Sequence, residues 1–375
     1  MNSNDSRARD LLIRFSEGYA QIHGRIVFPI TILGILTSIV TIIILNRKNF
    51  QTPTNLILQH VAFFDTIVLF SYNIYSLYFY ILHDPNPFVG QSQFWVRFAI
   101  FHSNIGVTAH SIALWHTCLL AIIRYTIISK PSQVSVNSTH IIILAWLVCL
   151  IVCLLMIPSY ILYSVISYPA HMLLPQTYEN NSTEIVYWIS PPSDKHLQNI
   201  SLRIIAICFK ISPVIILIIF SVLLILNIRI ARKLRERLRR RCSSMNSSSN
   251  LKREMRTTTM LVLITLCTVF VELPQGILLV AKDIDKKYDY YYHILGDFWD
   301  ITSISSSFIT FVMYCSMSQQ FRMEMIQLIL PSFCINKWNL KTNTNSITRQ
   351  ISLKQIKTQN SPLITRKPTN IPTDI

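Results

Sequence analysis

The sequence predicts an all-α membrane protein, a bundle of seven membrane-spanning helices followed by an amphipathic juxtamembrane helix. Of its 375 residues, 51% are hydrophobic and only 14% are charged, which is too apolar for an average soluble domain. Each predicted span is long enough to cross a bilayer, which takes about 20 helical residues. Their continuous apolar character favours helices over barrel strands, whose polarity would alternate within segments of ~10 residues. The spans are residues 26–45, 55–82, 97–128, 141–164, 202–228, 257–281 and 292–316.

The polar stretches divide the chain into four parts. Residues 1–25 lack the short apolar core of a removable signal peptide, so we expect an extracellular tail and a first helix that acts as its own signal. Residues 26–316 form the predicted seven-transmembrane domain. Residues 317–334 contain SQQFRMEMIQLIL, which predicts an amphipathic helix on the membrane surface. Residues 335–375 are expected to be a disordered cytoplasmic tail.

The basic residues predict how the chain crosses the membrane. The segments 46–54, 124–140, 229–256 and 317–375 carry 23 basic and 4 acidic residues, whereas the rest of the chain carries 11 basic and 14 acidic residues. Loops rich in Lys and Arg stay in the cytoplasm. We therefore expect a multi-pass protein of the plasma membrane with its N-terminus outside and its C-terminus inside.

Four asparagines on the predicted outer side lie in Asn-X-Ser/Thr motifs and are candidate glycosylation sites. They are Asn4, Asn180, Asn181 and Asn199. The cluster NNSTE at 180–184 is the strongest candidate, and its alternative is a plain polar loop.

The eight cysteines predict no extracellular disulfide, because six lie in apolar spans and two on the cytoplasmic side. Cys334 follows the amphipathic stretch and is a candidate for S-palmitoylation. The alternative is an ordinary free thiol.

The third span ends in LLAIIRYTIISKP, in which Arg124 and Tyr125 resemble the D/E-R-Y signature of rhodopsin-like G-protein-coupled receptors. In that family the arginine meets the G protein when the sixth helix swings outward. Ile123 replaces the acidic residue of the signature. Glu254, twenty residues before Pro274, stands where the family often places an acid that restrains this arginine. The alternative is that Glu254 pairs with neighbouring basic residues or solvent.

The second and seventh spans carry further positions of the same resemblance. Tyr314, followed seven residues later by Phe321, is similar to the N-P-x-x-Y signature and its aromatic, although Thr310 and Phe311 replace the Asn and Pro. Asp65 in the second span is a membrane-embedded acid and hence a candidate functional residue. The polar residues that hold sodium beside it in many relatives are depleted, so we expect neither a metal nor a cofactor.

Several stretches resemble the invertebrate myosuppressin and sex-peptide receptor group, including its nematode relatives. They are TPTNLILQH, FHSNIGVTAHSIALWHTCLLAIIRY, ELPQG, LGDFWDI and YCSMSQQFR, spread over residues 23–325. The resemblance implies a receptor for short amidated neuropeptides of the FMRFamide type that end in Arg-Phe-amide. It also implies partnership with a heterotrimeric G protein, arrestin and a receptor kinase.

Glu272 is a charge within the apolar stretch FVELPQGILLV, two residues before the helix-kinking Pro274. It stands where most rhodopsin-like receptors carry the tryptophan of C-W-x-P. If the ligand ends in Arg-Phe-amide, its guanidinium can form a charge-assisted pair with this carboxylate. The alternatives are that Glu272 pairs with His110 or Lys210, or that it carries a proton.

Other polar residues on the outer turns complete the candidate ligand site. Asp297 and Asp300 are three residues apart and share one helix face, where they can receive the same arginine or steer a cationic peptide. The alternative for Asp297 is a solvated charge at the rim. The remaining candidates are His102, Asn104, His110 and Trp299.

Other function classes fit less well. The basic stretch 229–256 offers a surface for a G protein or anionic lipid, and its position beside membrane spans argues against nucleic acid. A secondary transporter would show repeated halves, and an enzyme would show a cluster of catalytic side chains; the sequence displays neither. Within receptors, the alternative is a chemosensory receptor for a different ligand.

Overall fold

The computed structural model describes residues 3–82, 92–129, 138–169, 185–190, 194–241, 248–285 and 287–329. It is almost entirely helical, which confirms the predicted fold class. The helices α1 to α4 are Ser3–Leu45, Pro53–Ser76, Gln93–Ser129 and Ser138–Leu162. The helix α5 begins at Lys195 and runs to Arg241, α6 is Ser248–Ile284, α7 is the short helix Lys287–Ile294, and α8 is Gly296–Met317. A last helix, α9, is Gln319–Ile329.

Seven of these helices correspond to the predicted spans. Within the described residues, six are long and apolar enough to cross a membrane on their own, and α8 qualifies together with α9. The helix α8 is less apolar because it contains Asp297, Asp300 and many Ser and Thr residues.

Two helices change type along their length. The helix α2 continues as a π-helix over Leu77–Leu82. In α5, a short α-helix, Lys195–Arg203, is followed by a π-helix, Ile204–Ile211, and then by a long α-helix, Ser212–Arg241. Such wide turns are rare and are often found at functional sites.

Local sequence signals fix where several helices begin. Thr52 caps α2, since its side chain accepts a hydrogen bond from Asn55 N at 3.3 Å and Pro53 occupies the first turn. Asp194 caps α5 in the same way by accepting hydrogen bonds from His196 N and Leu197 N at 2.8 and 3.1 Å.

The structure differs from the sequence-based expectation at the ends of elements. The helix α1 begins at Ser3, so most of the predicted tail 1–25 is helical; this stretch contains no proline that would break the helix. Between α4 and α5 a two-stranded antiparallel hairpin, β1 Val165–Pro169 and β2 Ile185–Ile189, pairs Ser167 with Tyr187. Cys334 and the predicted tail 335–375 lie outside the described residues.

Buried apolar clusters hold the long helices together. One cluster joins α3, α4 and α5 through Ile112, Val152, Met156 and Phe209. A second, formed by Leu114, Cys118, Ala121 and Leu217, lies further along α3 and α5. Meanwhile α4 exposes large apolar side chains, for example Ile143 at 61% and Leu150 at 56%. Such exposure is expected where a helix faces lipid instead of water.

Candidate functional site

A buried ion cluster joins α3, α5 and α6. Lys210 Nζ lies 2.7 Å from Glu272 Oε2 and donates a second hydrogen bond to Gln275 Oε1, also at 2.7 Å. His110 Nε2 contacts the other carboxylate oxygen, Glu272 Oε1, at 3.0 Å. Glu272 is only 1% exposed. Both of its oxygens are therefore already engaged by basic side chains of the protein, the condition under which a buried charge is tolerated.

Backbone features bring these side chains together. Lys210 lies in the π-helical part of α5, where the extra residue per turn shifts side chains relative to a regular α-helix. On α6, Gly276 faces Lys210, and a Cβ atom there would lie 3.1 Å from Ile211 Cδ1 and 3.4 Å from Lys210 Cβ. The glycine thus allows α5 and α6 to approach closely. Pro274 lies inside α6 between Glu272 and Gly276, where it removes a backbone hydrogen bond and favours a bend.

A second polar cluster joins α1, α2 and α8. Tyr72 Oη donates to Asp300 Oδ2 at 3.1 Å, and Tyr80 Oη donates to Asp297 Oδ1 at 2.9 Å. His23 Nε2 lies 3.0 Å from Tyr72 Oη. We call His23, Tyr72, Tyr80, Asp297 and Asp300 the acid–tyrosine cluster. Within the described residues, neither aspartate forms an ion pair with a basic side chain.

Aromatic rings surround the acid–tyrosine cluster. The His23 ring centroid lies 4.9 Å from that of Tyr80, and the Tyr75 ring lies 6.1 Å from Tyr80. Tyr19 packs edge-on against His23 at 5.3 Å. Gly24 on α1 makes room for this packing, because a Cβ atom there would overlap the Cβ of Tyr80. The parts of α1 and α2 next to the two aspartates therefore present mainly tyrosine and histidine rings to them.

The other predicted ligand residues occupy different surroundings. His102 stacks on Tyr75 at 4.5 Å, and its Nδ1 lies 3.2 Å from Ser71 Oγ, which places it beside the acid–tyrosine cluster. Asn104 instead faces α4, where its Oδ1 accepts a hydrogen bond from Ser159 Oγ at 2.9 Å. Trp299 packs edge-on against Phe298 with ring centroids 5.4 Å apart. The predicted set is thus divided between two clusters and one helix contact.

Three of the predicted coupling residues, Arg124, Tyr125 and Tyr314, lie toward the opposite ends of their helices. Tyr125 packs edge-on against Phe220 of α5, at 5.6 Å between ring centroids. Tyr314 is 4% exposed and packs on Phe321 at 5.3 Å. Arg124, beside Tyr125 on α3, is partly buried. The Glu254 side chain lies outside the described part of the chain.

Asp65 lines a small cavity between α1, α2 and α8. The cavity has a volume of about 20 Å³, room for about one water molecule. Hydroxyl groups supply most of the polar surroundings and come from Ser38, Thr41, Ser307, Thr310 and Tyr314. The acid is thus provided with polar neighbours, as a membrane-embedded carboxylate requires.

Sequence reasoning did not identify Tyr72, Tyr80 and His23 as site residues. A signal was present, since the second predicted span ends in the tyrosine-rich run SYNIYSLYFY at 71–80. Which of these tyrosines faces α8 depends on the rotation of α2 and on its π-helical end. Lys210 and His110 were considered as partners of Glu272, and the structure places both of them on it.

Two known proteins are similar in sequence to most of this chain. The chain is 27% identical to "G-protein coupled receptor dmsr-1" of Caenorhabditis elegans over 371 residues, covering 86% of this chain and 71% of that protein. It is 25% identical to "Sex peptide receptor-related protein 2" of the same organism over 345 residues, covering 85% and 74% of the two chains. These relatives confirm the resemblance to nematode receptors of the neuropeptide type.

The family model described as serpentine type 7TM GPCR chemoreceptor Srw matches residues 25–331. The matched region contains the membrane-crossing part of all seven long helices and most of both polar clusters. It identifies a multi-pass membrane receptor and not an enzyme, as the sequence predicted. The chain therefore belongs to the Srw family of serpentine, seven-transmembrane G-protein-coupled receptors.

Proposed function

We propose that this receptor binds short, C-terminally amidated peptides of the Arg-Phe-amide type and transmits binding to a heterotrimeric G protein. The observation that carries the proposal is the pair Asp297 and Asp300, which in the described structure have tyrosine hydroxyl donors but no basic partner. An uncompensated acidic pair attracts a cationic ligand. The name of one relative, a sex peptide receptor-related protein, supports a peptide as that ligand.

The orientation belongs to the same proposal. A plasma-membrane receptor with an extracellular N-terminus would present the acid–tyrosine cluster to peptides outside the cell. The excess of basic residues in the segments on the other side supports this arrangement. Asn199 is exposed on the first turns of α5 and is a glycosylation candidate on that side. Asn180 and Asn181 lie outside the described residues, as does the Asn4 side chain.

We propose that the ion cluster around Glu272 is the conformational switch. It holds α3, α5 and α6 together directly beside Pro274, where α6 is least restrained by backbone hydrogen bonds. A direct pair between a ligand guanidinium and Glu272 remains a prediction, and it would have to displace Lys210 or His110. In either case, a ligand that changes these contacts shifts the free-energy difference between the inward and outward positions of α6. A switch requires such a shift.

The signal would leave through the end of the bundle that carries Arg124 and Tyr125. Outward movement of α6 would expose this pair, together with the basic stretch 229–256, to the G protein. We assign Asp65 and Tyr314 to the transmission path because they line the same cavity between α1, α2 and α8. Arrestin, a receptor kinase and anionic lipid are proposed as further partners of the same surface.

A second candidate function is the detection of an environmental chemical. It is favoured by the description of the matching family as chemoreceptors. The acid–tyrosine cluster would then receive a small cationic molecule in place of a peptide.

The deciding experiment is a G-protein activation assay in cells that express the receptor, screened with a set of Arg-Phe-amide peptides. We expect a saturable response to at least one peptide and a reduced response from Glu272→Gln at equal surface expression. The matched control is Glu17→Gln, a carboxylate exposed on α1. Silence toward every amidated peptide, despite normal surface expression, would favour the chemosensory function.

A further inference from the structure

We propose that the acid–tyrosine cluster is a guanidinium-binding site, in which Asp297 and Asp300 receive a single arginine side chain of the ligand. This inference rests on the proposed function for the source of the arginine. The site itself is defined by the kind of ligand group that it would bind, a planar monocation that carries several N–H donors. It is distinct from the pair expected at Glu272.

The two clusters differ in how the charge of their carboxylates is compensated. Glu272 is fully buried and opposed by Lys210 and His110, so the ion cluster has no excess negative charge to attract a cation. Asp297 and Asp300 are partly exposed and, among the described residues, have no ion pair. Two carboxylates near each other in a partly dried site are costly unless a cation compensates them.

Asp297 and Asp300 have unused hydrogen-bonding capacity within the described structure. A carboxylate offers about four acceptor positions, and each aspartate receives one tyrosine hydroxyl from the described chain. Because they lie three residues apart on α8, their remaining oxygens are on one helix face. A guanidinium presents five N–H donors in a planar fork and can therefore bind both carboxylates at once. An ammonium group would use fewer of these positions.

Among the described residues, the buried His23 ring has an acceptor nitrogen that receives no hydrogen bond. Tyr72 has one hydroxyl proton, which it donates to Asp300, so the contact with His23 requires His23 Nε2–H to donate to Tyr72 Oη. In the neutral imidazole, Nδ1 is then an acceptor. His23 is 0% exposed, and its Nδ1 has no hydrogen-bond partner among the described residues. Buried polar atoms are normally bonded, so this nitrogen indicates an N–H donor supplied by a ligand or by water.

Aromatic rings line the acid–tyrosine cluster. The rings of Tyr80 and His23 pack against each other in a tilted arrangement beside the aspartates, and Tyr75 and Tyr19 extend the same ring cluster. Guanidinium groups bind favourably over aromatic faces as well as to carboxylates. The Tyr19 hydroxyl is also buried without a partner in the described structure, and it can donate to a carbonyl of the peptide backbone next to the arginine.

The test uses the purified full-length receptor and two N-acetylated dipeptide amides, acetyl-Arg-Phe-amide and acetyl-citrulline-Phe-amide. The two probes have nearly the same shape, but only the first is charged. Ligand that binds the folded receptor raises its melting temperature in a saturable way. We expect such a shift with the arginine probe and none with the citrulline probe.

Variants then locate the site. Asp300→Asn and Asp297→Asn keep an acceptor for the tyrosine hydroxyl but remove a charge, and each should weaken the arginine probe by about 30-fold or more. Asp283→Asn is the matched control, because Asp283 is an acid on the last turn of α6 that pairs with Arg203 at 3.2 Å. It should bind the probe as the wild type does.

Three results would overturn the inference. They are the absence of any shift with the arginine probe, equal shifts with both probes, and unchanged binding in both aspartate variants. The first two results are obtained with the wild-type protein alone, so a variant that fails to fold does not leave the question open. Binding of the probe without G-protein activation by any peptide would refute the proposed function and keep the site. Peptide activation that survives both aspartate substitutions would refute the site and keep the function.

Discussion

The two polar clusters of this receptor contain carboxylates in opposite situations. At Glu272 the acid is buried, both oxygens contact basic side chains of the protein, and the contacts join three helices. At Asp297 and Asp300 the acids remain partly exposed, and the described contacts are with neutral tyrosines. A carboxylate whose charge is compensated internally can hold a conformation. One whose charge is not compensated is available to a ligand.

The largest effect is expected where that compensation is removed. Lys210→Met would leave Glu272 buried with His110 as its remaining basic partner, which should cost about 3–5 kcal/mol of stability. The measurement is thermal or denaturant unfolding of the purified receptor. The double variant Lys210→Met with Glu272→Gln should recover much of the loss, because no unpaired charge is then buried.

The control for this prediction is Arg203→Met, which breaks an exposed pair with Asp283. Arg203 is 61% exposed, and such surface pairs contribute about 0–1 kcal/mol. A loss in Lys210→Met no larger than that in Arg203→Met would mean that the Glu272 cluster does not differ from a surface ion pair.

An intermediate effect is expected from the packing that positions Tyr80 on Asp297. Gly24→Ala would force the Tyr80 Cβ away from α1, and overpacking of this kind costs about 1–3 kcal/mol. It should also weaken binding of cationic probes, because the hydroxyl donor to Asp297 moves. Unfolding and probe binding are measured on the same samples.

Gly18→Ala is the matched control on the same helix, since nothing lies within 4 Å of an added Cβ there. Replacing glycine by alanine in an open helical position should stabilise by about 0.5–1 kcal/mol. Equal behaviour of the two variants would show that close contact between α1 and Tyr80 is not required.

The smallest effect concerns a surface acid outside the membrane spans. Asp289 on α7 contacts Lys282 Nζ at 2.6 Å, and this hydrogen bond lowers the pKa of the aspartate below its ordinary value. A depressed pKa contributes stability that is present above the ordinary pKa and is lost as the pH falls through the folded-state pKa. Because Asp289 is 47% exposed, the contribution should be below about 1 kcal/mol.

The comparison between Asp289→Asn and wild type over pH 3 to 7 tests this. The two stability curves should converge at the acid end and separate only slightly near neutrality. A separation at neutral pH as large as that caused by Lys210→Met would contradict the distinction between buried and exposed pairs.

The sequence predicted the fold better than the site, for physical reasons. A bilayer requires a mostly apolar run in each span, so the apolar runs of the sequence located the seven long helices, including the more polar α8. It did not predict the helical start of α1 at Ser3 or the π-helical turns, because neither alters the apolar composition. Glu272 was recognisable because a charge is costly in a span. Its partners could be proposed only as alternatives, because they lie on other helices.

The acid–tyrosine cluster shows the same limit more clearly. Asp297 and Asp300 were evident as acids on one helix face. The choice of Tyr72 and Tyr80 among many tyrosines is made by how α2 is rotated against α8. That rotation is a property of the packed bundle, and no local pattern encodes it.

The two π-helical segments have a consequence for how receptors of this type diverge. Each carries a residue of one cluster, Tyr80 in α2 and Lys210 in α5. Loss of a single codon within either segment would restore a regular α-helix and turn the side chains on one side of the deletion by about 100° relative to those on the other. Ligand preference or switching can then change in one mutational step while the membrane spans keep their length and apolar character. The rotation of a helix about its axis, and not only the identity of its residues, can thus be inherited and can determine ligand specificity in this bundle.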